Sequence, residues 1–165
     1  MINLEVIRDI MGEVEVIDDD TASKNFYESL EVGQSSEDAV CERIQKKYPK
    51  AFTKKGYCKG YDIYVPETDK KVEVKQDKKS NYTGNIVIEI EFNGKPSALS
   101  TTEADFWVFD DGEIYIWITP DTLRQVVKPF KPVRFVGNGD NKYKLAYLIK
   151  KDIIIDNALK VDNYL

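Results

Sequence analysis

Hydrophobic and polar positions along the chain follow two periods, and each change of period marks an element. Tyr61-Asp62-Ile63-Tyr64-Val65 reads as one strand, and Val72-Glu73-Val74-Lys75 alternates with period two as a second. Successive strand side chains point to opposite faces, so Glu73 and Lys75 share one face and Val72 and Val74 the other. The link at 66–71 is short and polar and opens with proline. It predicts an antiparallel hairpin that brings Asp62, Glu73 and Lys75 to one spot.

Upstream the period becomes helical. Val40, Ile44 and Tyr48 recur every four residues with Cys41 beside them, which predicts a helix from 35 or 36 to 47, capped by Ser35 and ended by Pro49. Glu37 stands three residues before Val40 and projects from the N-terminal end of that stripe toward the sheet. The helix dipole alone also favours acids in a first turn. Two further helices are predicted near the N-terminus: one with Ile2, Val6, Ile7, Ile10 and Met11 on one side, ending at Gly12, and one over 21–30.

Downstream, Ile86, Ile88, Ile90 and Phe92 alternate with Val87, Glu89 and Glu91, a strand with one dry and one mixed face. Asn93-Gly94 and Asp111-Gly112 are tight-turn dipeptides, the second joining strands at 106–109 and 114–118. Thr119-Pro120 predicts a helix running to about residue 128. Runs at 133–136 and 143–149 flank a third hairpin or loop at 137–141, and 152–159 reads as a short closing helix.

At 165 residues the chain suits one α/β domain over 33–165, preceded by an accessory segment at 1–32. No stretch approaches the roughly 20 apolar residues of a membrane span, and no export signal is seen, so a cytoplasmic protein without a membrane partner is expected. Cys41 and Cys58 are the only cysteines and read as free thiols; with no histidine they cannot complete a structural zinc site. The missing histidine also excludes Ser-His-Asp hydrolysis, His-metal nucleases and paired-histidine ribonuclease chemistry. Carboxylates, lysines and tyrosines remain for any reaction.

Charge is unevenly placed. Residues 1–42 hold two basic side chains against twelve acids, a net of −10, whereas 43–79 carry Arg43 and eleven lysines against five acids, a net of +7. Positive charge therefore concentrates on the segment that carries Asp62, Glu73 and Lys75. A local basic patch suits a protein that tracks a phosphate backbone, although a solvated lysine-rich surface has the same composition.

Two carboxylates suit a hard cation such as Mg²⁺, and a neighbouring lysine can orient an attacking water and offset charge growing on a phosphodiester. The same charges also suit the solvated face of an antiparallel sheet. Acid-x-lysine patterns recur at Asp69 to Lys71, Asp77 to Lys79 and Asp140 to Lys142, but Glu73 to Lys75 is the only E-x-K in the chain.

Asp62 followed by Glu73-Val74-Lys75 resembles the signature of the PD-(D/E)xK nuclease superfamily, with Tyr61 where the family's name has proline. The helix carrying Glu37 resembles the one preceding the core sheet in Holliday-junction-resolvase-like members. Gly84-Asn85, Glu89, Ser100-Thr101-Thr102 and, less closely, 146–150 resemble a phage-type subgroup. The resemblance implies a restriction-endonuclease-like α/β core, a mixed sheet flanked by helices, and a DNA endonuclease dependent on Mg²⁺ or Mn²⁺. Asp62 and Glu73 would bind the metal with the Val74 carbonyl, and Lys75 would position or activate the water. Glu37, with Glu42 a weaker candidate, and Glu89 would complete the acidic cluster. Gln76 and Thr101 would hold substrate or the site, Lys78, Lys79 and Asn81 would contact phosphates, and Tyr82 would stack on a base. Analogy with junction cutters points to a homodimer. An inactive nucleic-acid-binding or protein-interaction module of the same fold, and an RNA-directed nuclease, remain as alternatives.

Overall fold

Helix α1 covers residues 36–45 in the computed structural model, which describes residues 36–54, 60–137 and 142–164. The two helices predicted within 1–30, the Ser35 cap, Cys58 and residues 138–141 of the predicted loop lie outside the described residues. Val40 and Cys41 are buried, and Ile44 and Tyr48 pack beside them against Ala51, Ile63, Val72 and Val108. The four-residue stripe seats the helix on the sheet; full burial of a side chain such as Val40 stabilises by roughly 1.5–3 kcal/mol. Tyr48 N–H bonds the Ile44 carbonyl at 2.8 Å just before Pro49.

Among the described residues ten strands form two sheets. The first holds β1 (Phe52–Thr53), β2 (Ile63–Val65), β3 (Lys70–Gln76), β6 (Phe106–Asp110), β7 (Ile114–Ile118) and β10 (Lys160–Asn163), neighbours in that order. The second runs β5 (Lys95–Pro96), β4 (Asn85–Phe92), β9 (Tyr143–Lys150), β8 (Val133–Val136). The predicted hairpin is present as β2 and β3, with Ile63 opposite Val72. β3 pairs in parallel with β6, Val72 opposite Phe106 and Lys75 opposite Phe109. Parallel strands require a crossover. Here it is made by helix α2 (Ser80–Thr83), β4, β5 and a short 3-10 helix (Ala98–Ser100).

Alternation along the strands sorts side chains between two cores. Val72, Val74 and Val108 join the α1 cluster, while Trp107 and Phe109 pack with Ile86, Ile88 and Ile149 of the second sheet and with Leu123 and Ile154 of the helices α3 (Pro120–Val127) and α4 (Lys151–Asp156). The first sheet thus lies between α1 on one face and the second sheet with α3 and α4 on the other. The expected α/β architecture with a mixed sheet and helices is present, and a second, antiparallel sheet covers much of one face of the first. The alternating pattern of β4 was legible, whereas its partner, β9, was not, because period-two patterning fixes which face is dry and says nothing about which strand supplies the hydrogen bonds.

Local chemistry explains the turns. Asn93 and Gly94 both have positive φ, 53° and 80°, as the mirror-image hairpin turn demands. Thr119 caps α3, its Oγ1 accepting from Thr122 N–H at 3.1 Å, with Pro120 in the first turn. The closing helix is shorter than expected: α4 ends at Asp156 and the chain returns as β10, with Lys160 opposite Trp117. Lys-Val-Asp-Asn has one apolar residue, so pairing with the free edge of β7 defines this strand and its side-chain pattern does not.

The C-terminal ends of β3 and β6 are tied to the second sheet through polar groups. Asp77 Oδ2 accepts from Val87 N–H of β4 at 3.1 Å. Beside it Lys151 Nζ lies 2.6 Å from the buried Asp111 carboxylate and 2.8 Å from Asn81 Oδ1. Asp111 also accepts from the N–H groups of Glu113 and Ile114, which holds its pKa below the usual carboxylate value despite burial. Buried charge is tolerated only when satisfied in this way.

Candidate acidic site

Three separate elements deliver the candidate residues to one place. Glu37 comes from the first turn of α1, Asp62 from the residue before β2, and Glu73 and Lys75 from the middle of β3. Asp62 sits where the hairpin opens: its N–H bonds the Val72 carbonyl at 2.9 Å, and its Oδ2 accepts from Val74 N–H at 2.7 Å. The carboxylate thus occupies the ladder position that a backbone carbonyl would fill one residue further on.

Glu37 and Asp62 bring their carboxyls within hydrogen-bonding reach. Burial first, then the Asp62 charge and its hydrogen bond, push the Glu37 pKa up from 4.5 to about 7. Asp62 is raised as well, mainly by burial and by the nearby Glu73; the Val74 N–H and Lys75 oppose that shift. Two carboxyls that share a site cannot both ionise cheaply.

Glu73 is held on both oxygens. Lys75 Nζ lies 3.0 Å from its Oε1, and Thr102 Oγ1 donates to its Oε2 at 2.9 Å. Thr102 in turn accepts from Trp107 Nε1 at 3.0 Å and from Ala104 N–H at 3.2 Å. The same Trp107 ring lies under the Lys75 ammonium, 5.3 Å from Nζ to the ring centre, a cation–π contact. Gly60 closes this side of the site, its carbonyl accepting from Glu103 N–H at 3.1 Å. Its φ is +104°, and a Cβ there would meet Glu103 Cγ at 3.0 Å, so the position requires glycine.

The site therefore contains residues the motif did not include. Thr102, one position beyond the expected Thr101, makes the bond to Glu73; Thr101 follows the 3-10 helix with its N–H on the Ala98 carbonyl. Neither the Thr102 nor the Trp107 role is readable from spacing, because both depend on the parallel register that sets Glu73 opposite Trp107. Glu42 is exposed on α1. Glu89 lies on β4 in the second sheet, where its carboxylate accepts from Ser97 Oγ at 2.8 Å; the carboxyls that act on Glu37 are Asp62 and Asp38, and those that act on Asp62 are Glu73 and Glu37. Gln76 ends β3, Lys78, Lys79 and Tyr82 are exposed beyond it, and Tyr82 retains 73% of its accessible surface. Asn81 is committed on both amide atoms, to Lys151 and to the Asp111 carbonyl.

The competing acid-x-lysine patterns have other employment. Asp77 supports the inter-sheet tie and Asp69 accepts from the Tyr64 hydroxyl at 2.6 Å within the hairpin turn. Asp140 lies outside the described residues.

As a cation site the cluster is half assembled. Among the described residues no three acidic or thiol side chains form a ready-made metal cage. The reason lies in the partners of Glu73, since Lys75 takes the oxygen for which a cation would compete. The donor set nonetheless fits a hard divalent ion: burial and neighbouring negative charge raise the pKa values of Glu37 and Asp62, and added positive charge relieves that crowding.

No protein-family model, curated protein or solved structure matches the chain. No helix among the described residues is long and apolar enough to cross a membrane.

Proposed function

We propose that the protein is a divalent-metal-dependent nuclease that hydrolyses phosphodiester bonds in DNA, with a restriction-endonuclease-like core of the PD-(D/E)xK type. The observation that carries this reading is the meeting of Glu37, Asp62, Glu73 and Lys75 from three elements, with the pKa values of the first two carboxyls raised by burial and neighbouring charge. A solvated sheet face does not raise carboxyl pKa values through burial; a site built for a cation does. The order of elements supports the same reading: a helix bearing Glu37, a hairpin bearing the other three residues, then a strand parallel to its second arm.

In this reading Asp62 and Glu73 hold Mg²⁺ or Mn²⁺, with the Val74 carbonyl and Glu37 completing the site directly or through water. The ion supplies Lewis-acid polarisation of the scissile phosphate and lowers the pKa of bound water. Lys75, beside Glu73, would orient the attacking water and offset charge developing on the phosphate oxygens. Thr102 and Trp107 fix the directions of Glu73 and Lys75, so that little reorganisation is left for the reaction itself. Lys78, Lys79 and Tyr82 beyond β3 offer phosphate and base contacts.

The deciding experiment is incubation of the purified protein with labelled duplex, single-stranded, junction and flap DNA in Mg²⁺ or Mn²⁺. Cleavage that is lost in Lys75→Ala and in Asp62→Asn, with the fold intact, is the expected result. A second reading is a binding module of the same architecture without chemistry, and the ion pair that occupies Glu73 favours it. No cleavage of any substrate, together with no Asp62-dependent metal affinity, selects that reading.

A further inference from the structure

A second feature sits at the opposite end of α1 from Glu37. A groove of about 630 Å³ opens between the C-terminal half of α1 and the starts of β3, β6 and β10, a size within the range of small-ligand sites. Its floor is apolar and aromatic: Ile44, Val72, Phe106 and Trp117. Its rim is basic: Arg43, Lys46, Lys47, Lys70 and Lys160, with Asp162 the one acid, already paired to Lys160 at 3.2 Å. Lys46, Lys47 and Lys70 are exposed and have no ion pair among the described residues. Trp117 is 9% exposed and its Nε1 has no hydrogen-bond partner among the described residues, while Lys160 Nζ lies 4.7 Å from the ring centre.

We propose that this groove takes an unpaired nucleotide of the nucleic-acid substrate, an inference that rests on the nuclease reading above. The occupant must be anionic at the rim and flat and apolar at the floor. An unpaired nucleotide has both properties in one unit, whereas a duplex keeps its bases stacked inside and presents only phosphates. Lys46, Lys47 and Lys70 take the phosphates, and the base lies on Phe106 and Trp117. Lys160, drawn onto a phosphate, uncovers the face of the Trp117 ring over which it stands. The groove begins about 9 Å from Glu37 along α1, from the six residues to Arg43 at 1.5 Å each. A groove that takes an unpaired nucleotide makes this a preference for substrates with unpaired regions.

The test uses the full chain in the absence of metal, so that binding is read without cleavage. Fluorescence anisotropy with a labelled 12-nucleotide oligothymidylate is compared for the parent and for Lys46→Glu/Lys70→Glu, two exposed positions outside the acidic site. The variant is expected to bind at least tenfold more weakly, to show a shallower salt dependence by about 1.4 in slope for two lost phosphate contacts, and to change less than threefold toward a blunt duplex. Equal affinity of parent and variant for the oligonucleotide overturns the proposal. So does an equal loss toward single strand and duplex, or displacement of the oligonucleotide by polyglutamate as effective as by unlabelled oligonucleotide. Groove-dependent binding without any metal-dependent cleavage refutes the nuclease and leaves the groove standing; cleavage without groove-dependent binding does the reverse.

Discussion

Glu37, in the first turn of α1, lies against Asp62, at the root of β2, and burial together with the Asp62 charge raises the Glu37 pKa, while burial and the Glu73 charge raise that of Asp62. Because the Glu37 pKa is raised in the folded chain to about 7 from 4.5, the folded state binds the proton more tightly than the unfolded state. The associated stability is full below the unfolded value and is lost as pH rises toward 7. Urea unfolding in the absence of metal should therefore show stability declining between about pH 4.5 and 7. Asp62 and Asp77, also raised by burial, add to the decline with the same sign. Glu37→Gln should flatten the profile and raise stability at pH 8, and an unchanged slope in that variant would count against the raised Glu37 pKa.

Binding of Mg²⁺ or Mn²⁺ at this pair must displace the proton. Affinity should therefore climb as pH rises toward 7 and level off above it, and calorimetry in buffers of different ionisation enthalpy should register proton release. In Glu37→Gln the release should disappear. Heat that is independent of buffer in the parent protein would place any metal elsewhere.

Lys75 is paired to Glu73 and stands over Trp107, so its removal affects charge more than packing. Lys75→Ala is expected to lower the cleavage rate by about 10²- to 10³-fold, in line with loss of a group that stabilises transition-state charge. Metal affinity should not fall, because the substitution frees an oxygen of Glu73. A parallel loss of metal affinity and rate would assign Lys75 to site structure and leave no catalytic role.

Thr102 links Glu73 to Trp107 through one hydroxyl. Thr102→Val preserves shape but leaves the Trp107 N–H without an acceptor, which costs about 1–3 kcal/mol. Denaturant unfolding should show that loss, and cleavage should fall by roughly tenfold as Glu73 loses its orientation. Thr101→Val is the control expected to do neither.

Lys151 and Asp111 join the second sheet to the β6–β7 turn in a nearly buried pair. Lys151→Met leaves the Asp111 charge buried with only backbone partners, and should destabilise by about 3 kcal/mol, near the lower end of the range for a broken buried pair. Thermal melts would check this, with Asp121→Ala, which breaks the exposed pair with Arg124, as the near-neutral comparison.

What could be read from the sequence was local. The α1 stripe, the β2–β3 hairpin, the Asn93-Gly94 and Asp111-Gly112 turns and the Thr119-Pro120 start of α3 each carry their signal within a few residues. Proximity of Asp62 to Glu73 followed from the hairpin, and that of Glu37 from the helix stripe. Three features were not legible. β4 joins β9 in a separate sheet, β10 forms on the free edge of β7, and Thr102 reaches Glu73 only through the β3–β6 register. All three depend on contacts between segments distant in sequence, which alternation does not encode.

The parallel pairing of β3 with β6 also sets the order in which the molecule can mature. Val72 meets Phe106 only after the intervening crossover is threaded, so the acids can be near one another in the hairpin well before Trp107 and Thr102 arrive to steady them. Non-local contacts of this kind form slowly compared with helices and hairpins. On refolding, helical signal should return before metal-binding competence, and a chain released from the ribosome short of β6 would carry every carboxylate of the cluster without the scaffold that aims them.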